Sequence, residues 1–166
     1  MRRMESTHRE QVQALLGQAA ADHETLVAQL PANLQASLPV DAQGVTRAIE
    51  LLAVAAGLDA DARRALQRPH AVNPAVLHAR VYGRAPLTRE TVIGSFVEGA
   101  RVRADALAAL ADEIGGEPLG RRVRALLLAH PPPVRADGDD VVPALRATYA
   151  AHERAALLLA ERLDAV

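Results

Sequence analysis

Apolar side chains recur at intervals of three and four residues along most of the chain, and no alternating run of useful length appears. This spacing places apolar side chains on one face of an α-helix. Val12, Leu16 and Ala19 carry the pattern near the start of the chain, and Leu145 and Leu159 carry it near the end. The pattern therefore predicts an all-α protein.

Capping residues and helix breakers divide this pattern into separate helices. Thr7 and Glu10 form a capping box before the first helix, which Pro31 ends, and Asp140 is the predicted N-cap of the last helix. The predicted helices cover residues 7–30, 42–57, 59–68, 73–82, 88–114, 117–130 and 140–163. The shorter pieces lie between the longer ones.

Three of these helices have similar lengths of about 23 to 26 residues, roughly 35 to 39 Å at 1.5 Å per residue. Helices of equal length pack well side by side, and the helix at 42–57 supplies a fourth member. We therefore expect an antiparallel four-helix bundle with short additional helices in the connections. Its 166 residues match the size of one domain, so the predicted domain is 1–166.

Composition narrows the range of functions. The chain has 19 Lys and Arg against 20 Asp and Glu, so no basic field favours binding to nucleic acid. No uninterrupted apolar run approaches the roughly 18 residues of a membrane span, and no apolar stretch follows the basic start as in a signal peptide. The chain has no Cys, which excludes disulfides and thiolate chemistry and favours a cytoplasmic location.

Two histidines lie on apolar stripes, where they would point towards the bundle interior. His152 follows Tyr149 by three residues with Glu153 beside it, and His23 lies on the stripe of the first helix. Histidines and carboxylates from different helices form metal sites in bundles. His152, His23 and Glu153 are therefore the candidate ligands of a divalent metal such as zinc, nickel or iron.

The spacing around these histidines also supports a second interpretation. Two ligands from one helix need a separation of three or four residues, but Val27 and Ala156 stand four residues after His23 and His152. Both histidines are then partly buried, hydrogen-bonded helix residues. No catalytic residue is assigned on either interpretation.

The second half of the chain resembles the DinB/YfiT-like proteins, a four-helix-bundle superfamily whose members are mostly assigned as metal-dependent enzymes. The resemblance rests on "LTRETVIGSFVEGARVRADALAAL" from Leu87 and on "AAHERAALLLAERL" from Ala150. In that family the last helix carries His-Glu-Arg-x-His, and an earlier helix supplies a third histidine. His152 matches the first of these, whereas Ala156 and Leu52 occupy the other two positions. The resemblance thus implies a bundle whose metal site is degenerate.

Two functions follow from this comparison. The favoured one is a metal-free bundle with a binding or assembly role, whose partner is a small-molecule ligand or a second copy of the chain. The alternative is a divalent-metal-dependent enzyme of the thiol-transferase type, in which His152 is a ligand or general base. The small residues Ala104, Ala108 and Ala111 form a helix face that predicts a homodimer.

Overall fold

The apolar stripes of four helices meet in one core in the computed structural model, which describes residues 6–29, 32, 42–66, 89–135 and 138–165. The described ranges contain helices and no strand, which confirms the all-α prediction. The helices are α1 (His8–Ala28), α2 (Gln43–Ala55), α3 (Ala60–Leu66), α4 (Arg89–Ala129) and α5 (Val141–Asp164).

The larger apolar cluster is aliphatic and draws on α1, α2, α4 and α5. A second buried cluster contains Phe96 of α4 and Tyr149 of α5. Helix α1 packs against α2 and α5, α2 also contacts α4 and α5, and α4 has its most extensive contact with α5. The predicted stripes are buried as expected: Val12, Ile49, Leu107, Leu145 and Leu159 are all inaccessible to solvent or nearly so. No described helix has a stretch long and apolar enough to cross a membrane.

Local hydrogen bonds set the ends of the first three helices. The Glu10 amide donates to the Thr7 hydroxyl at 3.2 Å, which is the first bond of the predicted capping box. Helix α2 ends where Gly57 adopts a φ of +82°, and the Leu58 amide donates to the Ala53 carbonyl at 3.1 Å. The Asp59 carboxylate then accepts the Ala62 amide at 2.8 Å and starts α3.

Helix α4 has two limbs, residues 89–115 and 117–129, joined at Gly116 with a φ of +69°. The sequence predicts a break between the helices at 88–114 and 117–130, and the positive φ of Gly116 confirms it. Across the kink, the Arg124 guanidinium donates to both carboxylate oxygens of Asp112, at 2.8 and 2.6 Å. This bidentate pair fixes the angle between the limbs and lowers the pKa of the Asp112 carboxyl through the hydrogen bonds from Arg124.

The N-terminus of α5 differs from the prediction in one respect, the capping role of Asp140. Asp140 precedes the helix as predicted, but its side chain makes no capping hydrogen bond. Its φ of −98° and ψ of 2° differ from the extended conformation in which an N-cap side chain reaches the next amides. Only its carbonyl takes part, accepting the Ala144 amide at 3.1 Å. The predicted helix at 73–82 lies outside the described residues.

Candidate functional site

His152 lies in the protein interior, on the stripe of α5 where the sequence analysis placed it. The residue is 1% exposed, and its Nδ1 has no hydrogen-bond partner in the described part of the chain. Burial, together with the nearby positive charge of Arg103, lowers the pKa of His152 to about 3. The imidazole is therefore neutral at physiological pH.

Arg103, Tyr149 and His152 form a buried polar cluster between α4 and α5. The Arg103 guanidinium donates a hydrogen bond to the Tyr149 hydroxyl, and its central carbon lies 4.8 Å from the centre of the tyrosine ring. The hydroxyl in turn donates to the Phe96 carbonyl at 3.4 Å. The rings of Tyr149 and His152 meet edge to face, with centroids 5.7 Å apart.

A glycine provides the space for this arrangement. A Cβ atom on Gly99 would lie 3.0 Å from Nη2 of Arg103, because the guanidinium folds back over the preceding helical turn. Arg103 itself is only 3% exposed. A side chain at position 99 would therefore require the guanidinium to move by a few tenths of an ångström.

Arg103 was not identified as a site residue from the sequence, although its spacing from the apolar residues of α4 indicates a buried position. Arg103 stands three residues after Ala100 and four before Leu107, so it occupies an inward position on the stripe of α4. A charged residue at such a position is rarely buried without partners. Its occurrence opposite Tyr149 on α5 required the tertiary structure.

The two remaining positions matched to the metal ligands of the DinB-like family are filled by the core. Leu52 on α2 and Ala156 on α5 are both 0% exposed and belong to the same apolar cluster. Both positions thus face the core and present only carbon atoms there.

The other predicted ligands do not gather around His152. His23 is half-buried on α1, and Glu153 lies on the exposed side of α5, where partial burial raises the pKa of its carboxyl. Nowhere in the described ranges do three or more His, Asp or Glu side chains lie close enough to hold a metal ion. The site made of His152, His23 and Glu153 stays a prediction without support from this geometry.

The alanine face that motivated the homodimer is used within the chain. Ala111 is fully buried in the core, and Ala104 and Ala108 are partly buried and pack against it. This face therefore contacts neighbouring helices of the same molecule. Homodimerisation itself stays a prediction.

An open groove of about 730 Å³ lies between α1, α2 and α3. Its apolar wall is made by Leu51, Val54 and Ala55 of α2 together with Ala60 of α3. Its polar lining consists of His8, Gln11, Glu50, Arg63 and Arg64. This groove was not predicted from the sequence, because its shape depends on how α3 turns back beside α2 after Gly57.

The charged groups of the groove differ in how they are paired. Arg64 pairs with Asp61 one turn earlier, and the His8 Nδ1 lies 2.8 Å from the Asp164 carboxylate. Arg63 has no carboxylate partner among the described residues, and its Nε is buried without an acceptor there. Among the described cations of the groove, Arg63 is thus the one without a carboxylate partner in the part of the chain that the structure describes.

Neither the protein-family models nor the curated proteins and solved structures searched contain a match to this chain.

Proposed function

We propose that this chain is a DinB-like antiparallel four-helix bundle that binds a small molecule and does so without a metal ion. The observation that carries the proposal is the complete burial of Leu52 and Ala156 in one apolar cluster. A divalent metal site ordinarily needs at least three protein donors. With carbon at two of the three family positions, His152 supplies one donor on its own.

The electrostatics around His152 also argue against a bound cation. Burial and, to a smaller extent, the positive charge of Arg103 lower the pKa of the imidazole, so both disfavour a positive charge on His152. A divalent cation on the same nitrogen would experience the same repulsion with twice the charge. The buried polar cluster is therefore better suited to fixing the packing of α4 on α5 than to holding a metal.

The groove between α1, α2 and α3 is the proposed ligand-binding site. Its volume of about 730 Å³ lies within the range typical of small-molecule sites. Such sites combine an apolar wall with a few polar groups that orient the ligand. Leu51, Val54 and Ala55 provide the wall, and Arg63 provides an orienting charge.

One observation favours the alternative, a divalent-metal enzyme of the thiol-transferase type. A metal binds the neutral form of imidazole, which is the form His152 adopts, and its Nδ1 is unpartnered among the described residues. On this alternative, His152 would be a ligand for zinc, nickel or iron, and donors outside the described ranges would complete the set.

Metal analysis separates the two functions. Untagged protein is incubated with zinc, nickel or iron, freed of unbound ions and analysed for metal content, beside His152→Ala and the matched control His8→Ala. We expect less than one tenth of an equivalent of metal in all three proteins. Near-stoichiometric metal that disappears in His152→Ala and persists in His8→Ala would establish the enzyme alternative and overturn the metal-free proposal.

A further inference from the structure

We propose that the groove between α1, α2 and α3 binds a small monocarboxylate with an apolar tail, whose carboxylate pairs with the guanidinium of Arg63. This inference rests on the proposed function, since it names the class of ligand for the same groove. Three features support it: the lack of a carboxylate partner for Arg63 among the described residues, the pairing of the neighbouring cations, and the exposed apolar wall.

Arg63 has the unmet bonding capacity that an anion would satisfy. It extends from α3 into the groove and has no carboxylate within ion-pair distance among the described residues. Its Nε is shielded from solvent and without an acceptor there. A guanidinium donates two parallel hydrogen bonds to a carboxylate. The partly exposed side chain of Arg63 lines the groove and therefore offers a carboxylate ligand a cationic partner.

The other described charges of the groove disfavour a second negative charge on the ligand. Arg64 is paired with Asp61, and His8 is paired with Asp164. Glu50 contributes one exposed carboxylate to the lining, which repels every negative charge on the ligand. A monocarboxylate on Arg63 therefore meets less repulsion from Glu50 than a dianionic phosphate would.

The apolar wall provides a surface for the tail of the ligand. Val54 is 56% exposed, one of the few large apolar side chains that the described structure leaves in solvent, and it lies beside Leu51 on α2. Removing this surface from water is favourable by about 25 cal/mol per Å². A tail of several methylene groups would cover it while the carboxylate remains on Arg63.

The test compares octanoate with 1-octanol, a neutral probe of the same chain length, in titrations of ¹⁵N-labelled protein at pH 7. We expect octanoate to shift the backbone amides of Leu51, Val54, Ala55 and Ala60 and to bind at least ten-fold more tightly than 1-octanol. Equal affinity for the two probes would overturn the carboxylate assignment but leave small-molecule binding in the groove intact. Failure of both probes to shift these amides would overturn both proposals.

Variants assign the carboxylate to its partner. Arg63→Gln should weaken octanoate binding about ten-fold and leave 1-octanol binding unchanged. Arg121→Gln is the matched control, because Arg121 is exposed and paired with Glu117 on α4, outside the groove. Glu50→Gln should tighten octanoate binding, since it removes a nearby negative charge. Unchanged octanoate affinity in Arg63→Gln, with an unchanged helical circular dichroism spectrum, would contradict the assignment.

Discussion

The carboxylate of Asp164, in the last turn of α5, binds His8 in the first turn of α1. Its Oδ1 accepts the His8 backbone amide and lies 2.8 Å from both that nitrogen and the imidazole Nδ1. Its Oδ2 accepts the Arg9 amide at 3.0 Å. The first amides of a helix lack partners within the helix, so a residue 156 positions away completes the N-terminus of α1.

Replacing Asp164 with Ala should detach the first turn of α1 from α5. Burial alone would raise the pKa of this carboxyl, but the hydrogen bonds from Arg9 and His8 outweigh it and the pKa is lowered. A carboxyl with a lowered pKa stabilises the fold above its unfolded pKa near 3.8, and this contribution disappears as the pH falls through the folded value. At pH 7 we therefore expect a lower urea midpoint for Asp164→Ala.

Hydrogen exchange locates this effect. The His8 and Arg9 amides should lose protection in Asp164→Ala while amides in α4 keep theirs. Asp140→Ala is the control, because the Asp140 side chain makes no capping bond. Equal losses of stability in the two variants would show that the contact between α5 and α1 contributes nothing beyond the removal of a surface carboxylate.

Protonation of His152 should destabilise the protein on acidification. The unfolded imidazole has a pKa near 6.5, against about 3 when folded, so the unfolded state binds more protons between these values. The free energy of unfolding then falls as the pH is lowered from 6.5 towards 3, by up to about 1.4 kcal/mol per pH unit.

Urea denaturation at successive pH values measures this dependence. His152→Leu, an apolar replacement of similar size, should flatten the curve between pH 6.5 and pH 5, a range that lies above the unfolded pKa of Asp164 near 3.8. His23→Leu is the matched control, since His23 is only half-buried. An unchanged slope in His152→Leu would mean that the buried imidazole does not govern the acid response.

Two glycines in neighbouring helices should respond in opposite directions to the same substitution. A Cβ on Gly17 of α1 meets nothing within 4 Å, whereas a Cβ on Gly44 of α2 would lie 2.7 Å from the Ala19 Cβ. Gly17→Ala should stabilise the protein by about 0.5 to 1 kcal/mol through helix propensity. Gly44→Ala should destabilise it by about 1 to 3 kcal/mol, because α1 and α2 must move apart. Thermal denaturation of the two variants gives both signs, and a stabilised Gly44→Ala would contradict the close helix contact.

The periodicity of the sequence was sufficient to predict which faces of the helices are buried. Phe96, Ala100, Leu107 and Leu110 on α4 all lie in the core, as the spacing of three and four residues indicated. The breaks at Gly57 and Gly116 were also predictable, since both glycines adopt a positive φ that other residues rarely adopt. These features depend on local chain geometry.

The interactions that the sequence did not predict join residues distant in the chain. Arg103 meets Tyr149 across 46 positions, and Asp164 meets His8 across 156. Single-sequence patterns specify a helical face but not which residue of another helix lies opposite it. For the same reason, the groove beside Arg63 became visible only in the folded chain.

Tyr149 offers the most direct test of the buried polar cluster. Tyr149→Phe keeps the ring, its contact with the Arg103 guanidinium and its edge-to-face packing on His152. It removes the hydroxyl that accepts a hydrogen bond from Arg103 and donates one to the Phe96 carbonyl. We expect a loss of about 1 to 3 kcal/mol in the free energy of unfolding, since buried polar atoms lose a partner. Tyr149→Leu removes the ring as well, so its additional loss in urea denaturation measures the aromatic contacts. If Tyr149→Phe unfolds at the wild-type urea concentration, the hydroxyl bonds do not stabilise the packing of α4 on α5.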